Sequence, residues 1–141
     1  MKPLDAHQPC PCGRVASGKG GKPLAYGACC GRWLESHSAP AFPPDAESLM
    51  RSRYSAFVLE REAYLLQSWA AQHRPANIDF DAGVKWLGLE VRAHRQTGAD
   101  TAEVEFVARQ KPVGGPAVRL HERSRFVRQD GRWLYVDGDT L

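Results

Sequence analysis

Two cysteine clusters, "CPCG" at residues 10–13 and "ACCG" at 28–31, hold every thiol of the chain and constrain its first third more than any other feature. Cys29 and Cys30 are adjacent, and a disulfide between neighbours closes a strained ring. The four thiols must therefore pair across the sixteen residues that separate Cys12 from Cys29, or converge on a metal. The segment that carries them, residues 1–37, has a glycine-rich middle, "GRVASGKGGKPLAYG", and too few large apolar side chains to bury a core of its own. Such a segment needs a staple. Zinc selects thiolate sulfur in a closed tetrahedral shell, and Cys10, Cys12, Cys29 and Cys30 supply four ligands with no open position for water. A structural ion is predicted rather than a hydrolytic one. His7 and His37 lie close enough in sequence to replace one sulfur, so the fourth ligand is Cys30 or a nearby histidine.

Length and composition set the frame for the rest. A chain of 141 residues suits one ordinary domain with a small appendage. Its 43% hydrophobic and 25% charged residues are globular values. No apolar run approaches the roughly 20 residues of a membrane span, and "MKPLDAHQP" lacks the apolar stretch of a secretory signal. The expected address is the cytoplasm, where close-spaced cysteines are more often metal ligands than disulfides. The formal charge of +3 counts the thiols as neutral; four thiolates and one zinc add −2 and leave about +1. A general attraction to nucleic acid is poorly supported by that balance.

"SAPAFPPD" follows, and its three prolines disfavour helix, making residues 38–44 a stiff connector to the main domain at 45–141. Asp45 is a good helix cap. In "DAESLMRSRYSAFVLE" the apolar residues Leu49, Met50, Tyr54, Phe57 and Val58 are spaced by three and four, which predicts an amphipathic helix. A second, shorter helix is predicted over "EREAYLLQSWAAQ", with Tyr64, Leu65, Leu66, Trp69 and Ala70 as its buried stripe. "IDFDAGV" is expected to add one turn. From Lys85 the period becomes two: Leu87, Leu89, Val91 and Ala93 alternate in one run and Ala102, Val104, Phe106 and Ala108 in the next. "QTGAD", "KPVGGP" and "QDG" punctuate four strand-like runs, and such short connections favour antiparallel neighbours. The expected fold is α+β: a small zinc knuckle, then helices packed on an antiparallel four-stranded meander.

The strand "VRLHERSRFV" carries a conflict. Alternation that places Val118, Leu120 and Phe126 on one face places Glu122 and Ser124 there as well. Acidic groups rarely sit inside without a partner, so either a bulge reverses the facing or Glu122 looks into a cavity. Arg53, four residues from both Leu49 and Phe57, borders the apolar stripe of the first helix and is a candidate partner. On one reading Arg53 and Glu122 line a ligand-binding hollow walled by Tyr54, Trp69 and Trp86. On the other they form a buried ion pair that fixes how helix and sheet dock.

Catalytic signatures are weak: there is no P-loop spacing, no nucleophile elbow and no helix-borne HExxH, and "SGKGGKP" lacks the Ser/Thr a phosphate loop requires. His121 and Glu122 point to opposite faces. Arg119, Arg123 and Arg125 share a strand face, where Glu103 and Glu105 from a neighbouring strand are expected to neutralise them. Trp33, three residues after Cys30, is expected to pack the knuckle onto the main domain or onto a partner; Trp69 and Trp133 read as core or rim anchors.

At this point the residues carry a resemblance. "CPCG" followed by paired cysteines and glycine is similar to the SEC-C motif, the zinc-binding tail known from the bacterial translocation ATPase SecA, whose last ligand is cysteine or histidine. The spacer here has twice the usual length, with the insertion in "RVASGKGGKPL". Doubling a flexible loop costs only about 0.6 kcal/mol, against roughly 10–16 kcal/mol for a structural zinc. "AESLMRSRYSAF", "WLGLEV", "VEFVAR" and "LHERSRFVRQDGRWLYVDGD" resemble the YchJ-like family of bacterial proteins, which implies a domain similar to nuclear transport factor two, a curved sheet wrapping helices. By analogy with the SecA motif, the resemblance implies a non-enzymatic zinc protein that docks on a protein partner. Binding or turnover of a small molecule near Arg53 and Glu122 is the alternative, and weak nucleic-acid binding a further one.

Overall fold

The computed structural model describes residues 2–17, 20–36 and 40–141. The N-terminal segment folds back on itself through bridges between Pro9 and Ala25 and between Val15 and Pro23, with the Cys10 N–H donating to Leu24 O at 2.9 Å. A 3-10 turn at Tyr26–Ala28 leads into one turn of helix, α1 (Gly31–Leu34). A glycine follows each cysteine cluster for a physical reason. Gly13, at φ +75°, takes a left-handed conformation and returns its N–H to Cys10 O at 3.1 Å. At Gly31 a Cβ would stand 2.7 Å from Tyr26 O, so only glycine lets the two turns close.

Helix α2 (Ala46–Leu59) starts where Asp45 accepts the Ser48 N–H at 2.7 Å. Its sequence predicts one apolar stripe, yet Ser48, Ser52, Arg53 and Ser55 are buried along with Leu49, Met50 and Tyr54. The helix is covered on two sides: it lies against β1, β2 and β4, and the cysteine segment packs on it as well. The small hydroxyl side chains on those faces are satisfied locally, Ser52 by Leu49 O and Tyr64 Oη, both at 2.7 Å.

Helix α3 (Glu62–Gln67) is shorter than expected. The chain leaves helical geometry at Ser68 because its backbone is taken by another element: Tyr135 N–H donates to Ser68 O at 2.8 Å, and the Ala70 N–H to Tyr135 O at 2.7 Å. Trp69 thus sits on a strand-like bridge rather than on a helix. "IDFDAGV" forms no helix either. Asp81 Oδ1 accepts the Gly83 N–H at 3.0 Å and closes a turn instead.

Four strands, β1 (Lys85–Gly98), β2 (Thr101–Lys111), β3 (Val118–Gln129) and β4 (Arg132–Thr140), form an antiparallel meander in chain order. The fold is α+β, as the periodicity implies, and its sheet is curved, as the family resemblance implies. Asp130 and Gly131, both at positive φ, make the tight β3–β4 turn. The register of β1 departs from the simple alternation. Shifts between Trp86 and Gly88 and between Val91 and Ala93 leave Leu87 46% exposed and Ala93 on the surface, and turn Trp86 towards the helices. Gly88, at φ +147°, makes the first of these bulges possible.

One core unites the molecule. Cys10, Cys12, Tyr26, Cys29, Cys30 and Leu34 belong to the same buried cluster as Leu49, Ala56 and Leu65, and as Val104 and Phe126 of the sheet. Polar links reinforce it: Arg14 donates to Ser48 Oγ at 2.9 Å, Arg51 to Cys12 O at 3.1 Å, and Arg61 to Leu59 O at 2.7 Å while facing Glu35.

Candidate functional site

Two places concentrate chemistry, one on each side of α2. On the first side the two turns described above bring Cys10, Cys12, Cys29 and Cys30 together, all buried, with every sulfur within 4.8 Å of the others. Cys12 and Cys29 Sγ are 3.6 Å apart, and none of the four forms a disulfide. A tetrahedral ion with sulfur ligands at about 2.3 Å requires edges of about 3.8 Å, so the cage has the right size for four thiolates around one metal. Thiol hydrogen bonds from Cys12 foremost, then Cys29 and Cys30, hold the Cys10 thiol far below its ordinary range, while hydrogen bonding within the same cluster pushes Cys12 and Cys30 up. The cluster shares its protons unevenly, as groups crowded at ligand distance must. Ser55 Oγ stands 3.6 Å from Cys10 Sγ as an outer partner. His7 is exposed and outside the cluster; His37 lies outside the described residues.

On the other side, α2 and the concave face of the sheet leave a hollow of about 340 Å³. Arg53, Tyr54, Trp69, Trp86 and Glu122 all line it, and so do Phe57, Phe106, Ala108, Leu120, Ser124, Phe126 and Tyr135. The register of β3 on β2 runs unbroken from Val118 to Val127, so no bulge on that side diverts Glu122 and it faces inwards.

The direct ion pair between Arg53 and Glu122 is not formed. Arg53 is 6% exposed and donates from Nη1 to Leu65 O at 2.8 Å and Ser68 Oγ at 2.7 Å, groups freed where α3 ends. Its guanidinium lies 4.8 Å from the Trp69 ring centre and 4.6 Å from that of Tyr135. Burial pulls its pKa down to about 10, and nearby Tyr135, Tyr64 and Glu122 oppose that, so it remains a cation at neutral pH. Glu122 Oε2 instead accepts from Ser124 Oγ and from Tyr135 Oη, the latter at 3.4 Å. Its side chain lies across Gly138 of β4, where a Cβ would stand 2.5 Å from Oε2. Arg53 and Glu122 therefore act on one another only through their fields, and each keeps polar capacity towards the hollow.

Tyr135, Ser124 and Phe126 complete this site, and the sequence reading missed their roles. Alternation groups Tyr135 with Trp133 and Asp137; the β3–β4 register sets Tyr135 opposite Phe126, and the shift beyond it turns only Asp137 away, opposite Arg125. The arginine row of β3 is largely neutralised on the outer face. Arg125 meets Asp137 and Asp139 at 2.6 and 2.7 Å, Arg123 and His121 share Glu105, and Glu103 is held by Arg95. Trp33 is 7% exposed, and Arg32 covers its ring. Trp133 is equally buried. No helix among the described residues is long and apolar enough to cross a membrane.

A buried four-cysteine cage joined to helices held in a curved four-stranded meander defines the class: a SEC-C-type cysteine module on an NTF2-like domain. Comparisons with known proteins agree. The family described as "YchJ, middle NTF2-like domain" matches residues 45–138. A "UPF0225 protein" of Polaromonas sp. (strain JS666) is 69% identical over 93% of this chain and 92% of its own length, and one from Bordetella parapertussis is 52% identical over 98% and 97%. Among solved structures, a SEC-C motif containing protein from Psychrobacter arcticus superposes with TM-score 0.77 at 31% identity, covering 94% of this chain and 82% of that one. Another, from Rhodopseudomonas palustris, gives 0.73 at 30% identity over 85% and 94%. The chain belongs to the YchJ-like, UPF0225 family.

Proposed function

We propose that this protein is a small-molecule-binding domain in which one structural zinc, held by Cys10, Cys12, Cys29 and Cys30, locks the N-terminal segment onto the back of α2. The observation that carries the binding role is Arg53. A guanidinium buried in an aromatic-lined hollow, with Nε and Nη2 unpartnered among the described residues, offers a charged donor edge to a ligand. A hollow of about 340 Å³ lies at the small end of ordinary ligand sites. For the zinc, the supporting facts are the cage dimensions, the burial of all four sulfurs and the likeness to SEC-C proteins. A role in docking a protein partner would draw on Trp33, but that ring is buried and the cysteine segment is packed on α2. The ligand-binding reading is preferred for that reason.

The test uses a neutral probe. Titration with N-phenyl-1-naphthylamine is expected to give a saturable rise in probe fluorescence at one site per chain. Ala108→Leu, which fills the hollow from the middle of β2, is expected to abolish it with zinc content and unfolding midpoint retained; Ala108→Val serves where leucine does not fold. Absence of a saturable rise, or an identical titration in the folded variant, overturns the reading.

A further inference from the structure

We infer that the hollow selects a small planar aromatic acid with a hydroxyl or amine on the same ring, the acid meeting Arg53 and the donor meeting Glu122. This rests on the ligand-binding reading above. Two complementary vacancies on opposite elements carry it. Within the described residues Arg53 uses only Nη1, on Leu65 O and Ser68 Oγ, so Nε and Nη2 donate to nothing. A guanidinium edge with parallel free N–H groups matches a carboxylate in bidentate geometry, and a water-poor aromatic setting strengthens that pairing. On β3, Glu122 receives its hydroxyl partners on Oε2 alone, so Oε1 accepts from no described residue. A carboxylate oxygen beside aromatic rings calls for an N–H or O–H donor.

The lining around these two groups is largely aromatic. The rings of Tyr54 and Trp86 meet edge to face at 5.5 Å, and those of Phe126 and Tyr135 at 5.8 Å, which leaves ring faces and edges to stack on a flat ligand. An aliphatic acid would meet Arg53 but forfeit the stacking. A neutral aromatic would stack but leave the guanidinium unpaired. The geometry of Glu122 is itself provided for, since Gly138 is the strand position over which the carboxylate lies, and any side chain there would occupy its place.

The probe is 3-hydroxybenzoate, compared with phenol, which lacks the acid, and benzoate, which lacks the hydroxyl. Binding is followed by calorimetry on the zinc-loaded full chain. The acid-bearing, hydroxylated compound is expected to bind most tightly. Loss of the carboxylate is expected to weaken binding roughly ten- to a hundredfold, the range for a hydrogen bond to a charged group. Loss of the hydroxyl is expected to weaken it by a smaller factor, one that disappears in Glu122→Met. Arg53→Lys is expected to level the acid and phenol while its circular dichroism stays native. Arg53 also ties α3 to α2, so Gly138→Ala gives a second variant that leaves that tie intact; it is expected to erase the hydroxyl preference alone. Equal affinity for the three compounds overturns the inference but leaves the hollow a binding site. No binding of any of these three compounds, with N-phenyl-1-naphthylamine still bound, also overturns it. Failure of both probe types overturns the underlying reading.

Discussion

At the scale of single residues, the decisive positions are those where one atom more or less changes what a neighbour can do. Gly31 is one. A methyl group there meets Tyr26 O at 2.7 Å, a backbone atom that cannot swing away, so Gly31→Ala is expected to lower unfolding free energy by about 1–3 kcal/mol in urea titrations. At Gly138 the methyl would meet the Glu122 side chain, from Cγ at 2.9 Å to Oε2 at 2.5 Å, with no backbone atom among its nearest contacts, and the same change is expected to cost less than at Gly31. The contrast separates a glycine that the fold requires from one that the hollow requires. Burial sets the alkaline limit. It raises the pKa of Tyr54 to about 12, and that of Tyr135, helped by the charge of Glu122, to about 12, from an ordinary value of 10.0. An unfolded tyrosine ionises first, so this stability is complete below pH about 10 and is lost as the pH rises towards 12. Arg53, lowered to about 10, acts in the opposite sense over the same window, because its unfolded form holds the proton longer. Burial raises Tyr26 and Tyr64 as well, and four tyrosines against one arginine leave a net loss. Urea midpoints are expected to fall between about pH 9 and about pH 11, and to fall less in Tyr54→Phe.

At the scale of elements, α2 is the part on which both sites depend, because one face closes the cysteine cage and the other floors the hollow. Its N-cap is an accessible lever. Asp45→Ala removes the bond to the Ser48 N–H and is expected to cost about 1 kcal/mol by urea denaturation, lowering zinc retention and probe binding only through overall stability. The end of α3 is set by its neighbour. Propensity alone carries that helix through Trp69, whereas the bridge from Ser68 and Ala70 to Tyr135 stops it and turns the Leu65 and Ser68 acceptors towards Arg53. The bulges in β1 show the same thing. Trp86, not Leu87, faces the helices, because the strand gains a residue at Gly88 and its facing is reset.

At the scale of the whole molecule, the shared core couples the cysteine cage to the sheet. Removing the metal from a module hung on a flexible tether would unfold that module and leave the rest. Here the sulfurs sit among the side chains of α2, so chelation in mild urea is expected to lower the thermal midpoint of the whole chain in a single transition, with far-ultraviolet and tryptophan signals moving together. Cys12→Ser is expected to cost about 4 kcal/mol or more by the same measure. Two separate transitions, the later one unshifted, would show that the core is not continuous in solution.

The sequence by itself determined the elements and the inventory of chemistry. Asp45 and the three-and-four spacing after it specify α2, the change to alternation at Lys85 specifies strands, and four cysteines in a segment poor in apolar groups specify a staple. Alternation in β3 gave an inward Glu122 as one of two readings, and the unbroken register on β2 decided for it. These signals are local: each depends on a helical or strand period, or on a residue's own bonding capacity. The tertiary structure alone decided where that chemistry meets. Arg53 and Glu122 are separated by sixty-eight intervening residues, and their failure to pair directly follows from carbonyl and hydroxyl groups exposed by an α3 that β4 cuts short. The hollow exists because a bent sheet and a helix covered on both sides cannot fill the space between them, and neither curvature nor bulge position is written in a period of two.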